Sequence, residues 1–484
     1  MLRRYTFAFA VSTASCLNYT TPPSPAAVSD ASADTFTPDG TTPTPQPGTC
    51  TPDGGSPPPM APNGYYTQGA TVCTPAGTPH LFHGVDRPTL EFCPDSTDPS
   101  CTHLSADDFQ LMGSWNANVV RVALDQDRWL SAAALYDPNY ASTVDQVVAW
   151  AEAAGLDVIL DLHWSDRGDL TVTSSAKQAA GNSEQQPMAD VNSIEFWKEV
   201  AARYRGDGRV LFELYNEPNS VSWSIWLYGG MSGGYEYAGM QMLYDAIRND
   251  AHADNVVIAG GLDWAFDLSQ VKQYPIQGYN VMYAAHVYRA GDPGSQWQTN
   301  FGYLAQQNVA PVIITEFGDN QSTPNCTSAW DTSVIAYADQ WSMSWSAWAW
   351  YATGSGTLES LCAFPSIISD WSATPSVQGQ AVLAALQNYP RAEDAGTDAA
   401  PEAAADAGDD GGPAGDADAG ALDATTGDEG GAGALDATTI EAEAGSAGAG
   451  DEGDAGIGDE TGDAADADAS ADDSDGDDGP DGGE

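Results

Sequence analysis

The stretch VLFELYNEPN, residues 210–219, decides the fold. Its apolar first half is typical of a parallel strand that is buried on both faces. The proline near its end has no backbone N–H, so we expect the strand to stop there, with Asn216 and Glu217 at its carboxyl end. A second apolar run, PVIITEFG at residues 311–318, carries Glu316 in a similar place. Carboxyl groups at the carboxyl ends of two parallel strands are typical of the catalytic face of a (β/α)8 barrel.

Strand-like and helix-like stretches alternate on both sides of these motifs, over residues 67–390. Such alternation predicts a parallel sheet, and roughly 320 residues suit one (β/α)8 barrel with insertions better than two domains. We therefore predict an α/β fold with a single TIM barrel, and a long helix over residues 235–250. The eight strands are expected at residues 80–86, 118–125, 156–163, 210–217, 255–260, 279–288, 311–318 and 343–350.

The two ends of the chain differ from this central part in composition. Residues 1–16 carry two arginines before a short apolar run, which predicts a secretory signal peptide. The residues that lead to Cys16 resemble a bacterial lipobox, so lipid attachment at Cys16 and ordinary secretion both stay open. Residues 17–66 are rich in Pro, Thr, Ser and Gly and are interpreted as a disordered linker.

The C-terminal segment, residues 391–484, contains 30 acidic residues and a single basic residue, Arg391. Because it has few apolar residues to offset the entropy of ordering, we predict a disordered acidic tail. The formal net charge of the whole chain is −54. Such a charge argues against nucleic acid or an anionic membrane surface as a partner. We expect a secreted monomer, whose only attachment to a membrane would be an N-terminal lipid.

The seven cysteines fit an oxidising compartment. If Cys16 carries a lipid, six remain, and an even number suits disulfide pairing. None of them has the CxxC spacing that is typical of a zinc site. The short polar loop between Cys93 and Cys101 predicts that these two pair. The simplest completion is Cys326–Cys362 with Cys50–Cys73.

Polar and aromatic side chains fall at the predicted carboxyl ends of other strands. A single histidine in an apolar strand is more often a core residue, but a shared strand edge favours a site. His83, Arg87 and Glu91 follow the first strand, where a substrate contact and a structural ion pair are both open. An insertion at residues 181–190 is a plausible substrate-binding loop. The residues at the other strand ends are Arg121, His163, His286, Tyr288, Trp345, Trp348 and Trp350.

With LYNEP, ITEFG and these residues at the strand ends, the sequence resembles glycoside hydrolase family 5, the cellulase family of clan A. The resemblance implies that Glu217 is the acid/base and Glu316 the nucleophile, without a metal or a cofactor. Trp350 is an alternative to Trp348, because period-two alternation puts both on the same side of the eighth strand. The substrate-binding residues that the resemblance implies are Arg121, His163, Asn216, His286, Tyr288 and Trp348.

The implied function is a retaining, endo-acting glycoside hydrolase that cleaves β-1,4-glucan with a polysaccharide as its partner. The same catalytic residues would also cleave β-mannan or another β-glycan, because the residues of the sugar-binding subsites decide which sugar binds. The preference for endo or exo cleavage also stays open. An alternative hypothesis from another functional class is a surface carbohydrate-binding protein that has lost its catalytic activity. Such a protein is expected to have Gln, Ala or Ser in place of Glu217 or Glu316, and both residues are glutamate here.

Overall fold

The computed structural model of the protein describes residues 50, 56–93, 99–171, 186–320, 327–352 and 364–390. The strands in this part of the chain are β1 (Tyr66–Gln68), β2 (Thr71–Cys73), β3 (Pro79–His80), β4 (His83–Arg87), β5 (Val119–Asp125), β6 (Asp157–Trp164), β7 (Val210–Glu213), β8 (Gly230–Ser232), β9 (Tyr235–Tyr237), β10 (Val257–Gly260), β11 (Val281–Tyr288), β12 (Val312–Gly318) and β13 (Ser344–Ala347).

Eight of these strands close into one parallel barrel, in the order β4-β5-β6-β7-β10-β11-β12-β13, with β13 paired to β4. This confirms the predicted (β/α)8 barrel. Every residue of β5, β6 and β12 is buried, as expected for parallel strands that have helices outside and side chains inside. The acidic tail predicted for residues 391–484 lies outside the described residues.

Helices follow most barrel strands, and two of them continue into π-helical turns at Ala246–Asp250 and Gln298–Gly302. The described residues 261–280, between β10 and β11, contain no helix. The helices are α1 (Pro99–Thr102), α2 (Ala106–Ser114), α3 (Gln126–Trp129), α4 (Tyr140–Ala153), α5 (Ser193–Tyr204), α6 (Trp223–Tyr228), α7 (Met240–Asp245), α8 (Gly294–Trp297), α9 (Tyr303–Gln306), α10 (Ala329–Gln340) and α11 (Val377–Asn388).

The strands β1, β2 and β3 form a small antiparallel sheet at the amino-terminal end of the barrel. Val72 of this sheet belongs to an apolar cluster with Phe82, Val119 and Leu211, which lie at or near the first residues of barrel strands. This cluster fills the amino-terminal half of the barrel with apolar side chains. Polar groups inside the barrel therefore gather at its carboxyl end.

Part of the stretch interpreted as a linker, residues 17–66, contacts the barrel. The Asn280 side chain donates to the carbonyl of Pro59 at 2.7 Å, and the backbone N–H of Gly208 donates to the carbonyl of Pro62 at 2.8 Å. A disulfide between Cys50 and Cys73 also ties this stretch to β2. The composition of the stretch resembles that of a linker, but its backbone carbonyls accept hydrogen bonds from the barrel.

The helix predicted over residues 235–250 is wrong in its first part. The strands β8 and β9 form a hairpin there, and the helix α7 begins only at Met240. Glycines explain the difference, because Gly233 and Gly234 in the turn have φ angles of 59° and 87°, a conformation that favours glycine over other residues. The turn therefore interrupts the periodic pattern of the sequence.

Two of the three predicted disulfides are present among the described residues. Cys50–Cys73 and Cys93–Cys101 have Cα–Cα distances of 5.6 Å and 5.8 Å. Cys326, Cys362 and the lipidation candidate Cys16 lie outside the described residues. Within the described ranges, every helix is too short or too polar to cross a bilayer.

Candidate active site

Glu217 and Glu316 lie at the carboxyl end of the barrel, on strands that are three positions apart around the ring. The regular ladder of β7 ends at Glu213, earlier than predicted. The backbone nevertheless continues along the strand direction, because the N–H of Asn216 donates to the carbonyl of Leu162 on the neighbouring strand at 3.0 Å. Glu217 and Glu316 are both buried, with 4% and 1% of their surface exposed.

The two carboxyl groups face each other across the barrel mouth. An oxygen of Glu217, an oxygen of Glu316 and a ring nitrogen of His286 all lie within 4.8 Å of one another. His286 Nδ1 lies 2.9 Å from Glu217 Oε1 and 3.5 Å from Glu316 Oε2. Burial lowers the pKa of His286 to about 4, so its ring is neutral at neutral pH.

Both oxygens of Glu316 accept hydrogen bonds from charged or strong donors. Arg121 Nη1 donates to Oε1 at 2.7 Å, and the Tyr288 hydroxyl donates to Oε2 at 2.6 Å. These contacts bring together three of the residues that the sequence resemblance implied, with Glu217 opposite. The arrangement fixes the orientation of the Glu316 carboxylate.

Arg121 is surrounded by carboxyl groups that the sequence interpretation missed. Its guanidinium donates to Glu213 at 2.5 Å and lies 3.0 Å from Asp161 and 3.9 Å from Asp86. Burial raises the pKa of all three carboxyl groups, to about 7 for Asp161, while the Arg121 charge opposes this. Each of these acids interrupts an apolar strand pattern, which is the signal in the sequence that could have found them.

His163 lies between an acid and the indole of Trp348. Its Nδ1 is 2.7 Å from Asp161 Oδ2, and its ring stacks on Trp348 with centroids 5.8 Å apart and an angle of 10° between the planes. Burial lowers the pKa of His163 to about 3. Asn216 Nδ2 lies 3.4 Å from His163 Nε2, so this side of the site is a connected polar network.

Trp348 lies at the site and Trp350 does not. Trp348 clusters with Tyr288 at the barrel mouth, whereas the Trp350 indole donates to Asp108 at 2.8 Å and packs against Trp115. The expected alternation over residues 343–350 is wrong beyond β13, because that strand ends at Ala347. Trp350 is therefore a core residue.

The residues predicted to follow the first strand are structural, and His83 and Arg87 are the first and last residues of β4 itself. The His83 ring stacks on Tyr389 at 3.8 Å, and Arg87 forms an ion pair with Asp108 at 2.6 Å. Glu91 accepts a hydrogen bond from the backbone N–H of Thr89. Of the two interpretations left open for Arg87, the structure supports the ion pair. In the insertion predicted at residues 181–190, the first five residues lie outside the described residues, and four of the other five are buried.

Trp264 is an aromatic residue that the sequence interpretation missed. Its backbone N–H donates to the carbonyl of Pro218 at 3.0 Å, beside Glu217, and 37% of its surface is exposed. Asp263, Trp264 and Ala265 all have positive φ angles, between 55° and 64°. Such a conformation is costly for residues other than glycine and is often found near functional sites. The pattern of the sequence carries no signal for this loop.

Glu217, His286 and Glu316 also have the composition of a metal site. The guanidinium of Arg121, bonded to Glu316, places a positive charge against any cation bound there. Among the described residues, the donors around the two glutamates therefore fit an uncharged hydroxyl-bearing ligand better than a metal ion.

Comparisons with known proteins show the family to which the chain is similar. A family model described as cellulase (glycosyl hydrolase family 5) matches residues 93–354, more than half of the chain. The chain is 25% identical to Cellulase CelDZ1 of Thermoanaerobacterium sp over 288 residues, 56% of this chain and 66% of that protein. It is 27% identical to Endoglucanase 5 of Pectobacterium carotovorum over 218 residues, 44% of this chain and 37% of that protein. It thus spans less than two thirds of either relative.

Solved structures show the same fold. The native beta-glucanase SdGluc5_26A of Saccharophagus degradans matches with a TM-score of 0.52 and 20% identity, over 68% of this chain and 96% of that chain. A hyperthermophilic endocellulase of Pyrococcus horikoshii matches with a TM-score of 0.51 and 18% identity, over 68% of this chain and all of that chain. With the family model covering more than half of its length, this chain belongs to glycosyl hydrolase family 5.

Proposed function

We propose that this protein is a retaining endo-glycosidase that cleaves β-1,4-glucan. The observation that carries the proposal is the facing pair of Glu217 and Glu316, with an oxygen of each within 4.8 Å of the other. Retaining glycosidases hold their two carboxyl groups about 5–5.5 Å apart, whereas inverting enzymes leave about 6.5–9.5 Å for a water molecule. The short gap favours direct attack by one carboxylate.

In the first step, Glu316 attacks the anomeric carbon of the sugar. The glycosidic C–O bond breaks as the ester bond to Glu316 forms, and Glu217 gives its proton to the leaving oxygen. Neutral His286, 2.9 Å from Glu217 Oε1, is placed to donate its Nδ1–H to that oxygen and leave the acidic proton on the other. Arg121 and Tyr288 hold Glu316 in position for the attack.

In the second step, water breaks the ester. Glu217, now a carboxylate, takes a proton from the water molecule while the water oxygen bonds to the anomeric carbon. The bond from that carbon to Glu316 breaks, and Glu316 leaves as a carboxylate. Two inversions at one carbon give net retention. Asn216 is the proposed contact of the sugar 2-hydroxyl, a hydrogen bond that strengthens as positive charge develops on the ring.

The choice of β-glucan rests on aromatic surfaces and on the names of relatives. Trp348 stacks on His163 on one side of the site. The backbone N–H of Trp264 donates to the carbonyl of Pro218, the residue next to Glu217. Since an acid protonates the leaving oxygen, Trp264 belongs to the leaving-group side of the cleft. Sugar-binding surfaces on both sides of the scissile bond suit cleavage within a chain. Related family members include proteins named endoglucanase and cellulase.

The test is release of reducing ends from cellulose, mixed-linkage glucan, xyloglucan and mannan by the full chain. We expect soluble cellulose and mixed-linkage glucan to be cleaved, with a rapid fall in viscosity that marks endo action. Preferential cleavage of mannan would replace the substrate and keep the mechanism. Sugar binding without any release of reducing ends would support the non-catalytic reading. Secretion and lipid attachment at Cys16 stay predictions, which mass spectrometry of the mature amino terminus tests.

A further inference from the structure

The amide of Asn216 is held between two groups that fix which way it points. Arg121 Nη2 donates to Asn216 Oδ1 at 2.6 Å, and Asn216 Nδ2 lies 3.4 Å from His163 Nε2. All three side chains are almost completely buried. Because guanidinium groups only donate, the amide oxygen must face Arg121 and the amide nitrogen must face His163. This orientation requires His163 Nε2 to be an acceptor.

The acceptor state of His163 Nε2 follows from Asp161. Asp161 Oδ2 lies 3.0 Å from Arg121 Nη2 and 2.7 Å from His163 Nδ1. A carboxyl oxygen this close to a guanidinium carries no proton, because a proton there would face the positive charge, so His163 Nδ1 must be the donor. A neutral imidazole carries one N–H, and Nε2 is then free to accept. Asp161 therefore selects the tautomer of His163.

This selection does not depend on the charge of Asp161. Burial raises the pKa of Asp161 to about 7, so the carboxyl group is partly protonated near neutral pH. Its other oxygen, Oδ1, has no hydrogen-bond partner among the described residues and can carry the proton. In either state Oδ2 faces the Arg121 guanidinium and accepts from His163 Nδ1. What matters is an acceptor atom at the position of Oδ2.

We propose that Asp161 is a positioning residue that fixes the Nδ1–H tautomer of His163 and thereby holds the Asn216 amide with a free N–H for the substrate. One hydrogen of Asn216 Nδ2 faces His163, and the second is left for the sugar. The inference rests on the proposed function only for its catalytic consequence, because the tautomer itself is a property of the free protein.

The other carboxyl groups around Arg121 provide a comparison. Asp86, Glu213 and Glu316 contact the same guanidinium, but within the described part of the chain none of them makes a hydrogen bond to the His163 ring. Replacement of Asp86 by asparagine therefore removes an ionisable carboxyl group beside Arg121 without changing the acceptor that faces His163. Asp86→Asn is the matched control for the tautomer.

The experiment measures nitrogen NMR shifts of the full chain with 15N-labelled histidine. The His163 signal is assigned by its loss in His163→Gln, and the variants are Asp161→Asn, Asp161→Ala and Asp86→Asn. We expect Nδ1–H in the wild type, Asp161→Asn and Asp86→Asn, and a mixture that contains Nε2–H in Asp161→Ala. Nε2–H in the wild type overturns the proposal, even if Asp161→Ala fails to fold.

Kinetics with 4-nitrophenyl β-cellobioside supply a second readout. We expect kcat of Asp161→Ala to fall by up to about 100-fold, because a small misplacement of a contacting group has such effects. KM of Asp161→Ala should change less than its kcat, and kcat of Asp161→Asn should stay within about threefold of the wild-type value. On the substrate analogue that lacks the sugar 2-hydroxyl, kcat of Asp161→Ala should no longer fall below that of the wild type. Equal losses in Asp161→Asn and Asp161→Ala overturn the proposal, since charge and not the acceptor would then matter. A wild type that hydrolyses no β-glycan rejects the proposed function and leaves the tautomer result intact.

Discussion

Glu217 and Glu316 have the same side chain but different neighbours, and these neighbours support the two different roles proposed for them. Glu316 accepts from Arg121 and Tyr288, which suits a carboxylate that attacks carbon. Glu217 lies 2.9 Å from the ring of neutral His286, which suits a group that carries a proton. Two glutamates can therefore divide nucleophile and acid between them.

Glu316→Gln is predicted to lower kcat by at least about 1,000-fold, because an amide cannot form the glycosyl ester. The melting temperature should stay within a few degrees of the wild type. Reducing-sugar assays on soluble cellulose and thermal unfolding measure the two effects. Activity near that of the wild type would reject Glu316 as the nucleophile.

Glu217→Gln is the matched change at the proposed acid. An activated dinitrophenyl leaving group needs no proton, so this variant should form the ester normally with a dinitrophenyl cellobioside and then hydrolyse it slowly. Stopped-flow absorbance should show a burst of dinitrophenol, which Glu316→Gln should lack. A burst of dinitrophenol from Glu316→Gln and none from Glu217→Gln would show that Glu217 is the nucleophile and Glu316 the acid.

Trp264→Ala is predicted to lower kcat/KM on soluble cellulose by about 3- to 10-fold, the range expected for the loss of one aromatic stacking surface. The loss should be absent on 4-nitrophenyl β-cellobioside, since that substrate carries no sugar on the leaving-group side. Equal losses on both substrates would show that Trp264 acts through the position of Glu217.

Strand-end residues could be predicted from the sequence, whereas their supporting contacts could not. The proline after Glu217 and the apolar runs before each glutamate mark both strand ends in the sequence. Asp86 and Asp161 lie inside β4 and β6, and Glu213 is the last residue of β7. Only the closure of the barrel brings these acids to Arg121. Trp264 depends on backbone angles that no periodicity encodes.

At the scale of elements, the loop after β4 contains a buried acid whose titration opposes folding. Burial raises the pKa of Glu91 to about 8 from its ordinary value near 4.5. The contribution of Glu91 to stability is therefore full below about pH 4.5 and is lost as pH rises through about 8. Glu91→Gln keeps the shape of the protonated form and removes this titration.

We expect the melting temperature of Glu91→Gln to exceed that of the wild type by at least about 3 °C at pH 8.5 and to match it near pH 4. Thermal unfolding across that pH range measures the difference. A difference that does not grow with pH would show that Glu91 is ionised in the folded state.

The elements themselves were predicted with uneven success, and turn chemistry explains the errors. The barrel strands follow continuous apolar runs, which periodicity identifies well. Strand β9 of the β8–β9 hairpin lies within residues 235–250, whose pattern predicts a helix. Glycines with positive φ override that pattern, and their effect depends on the local turn.

At the scale of the whole molecule, removal of residues 391–484 is predicted to leave the melting temperature and the specific activity nearly unchanged. The composition of this acidic segment offers few groups that could pack on the barrel. Thermal unfolding and cellulose hydrolysis of the shortened protein, compared with the full chain, measure both. A fall in melting temperature of more than a few degrees would show that the tail contacts the barrel.

The closed barrel brings an oxygen of Glu217 within 4.8 Å of an oxygen of Glu316, and the first product anomer tests whether the enzyme uses this short distance for direct attack. Early proton NMR of cellooligosaccharide hydrolysis by the full chain, recorded before mutarotation mixes the anomers, reads the stereochemistry. The short distance between the two carboxyl groups predicts that the β-anomer appears first. First appearance of the α-anomer would mean that water attacks directly across a wider gap, and it would contradict the mechanism.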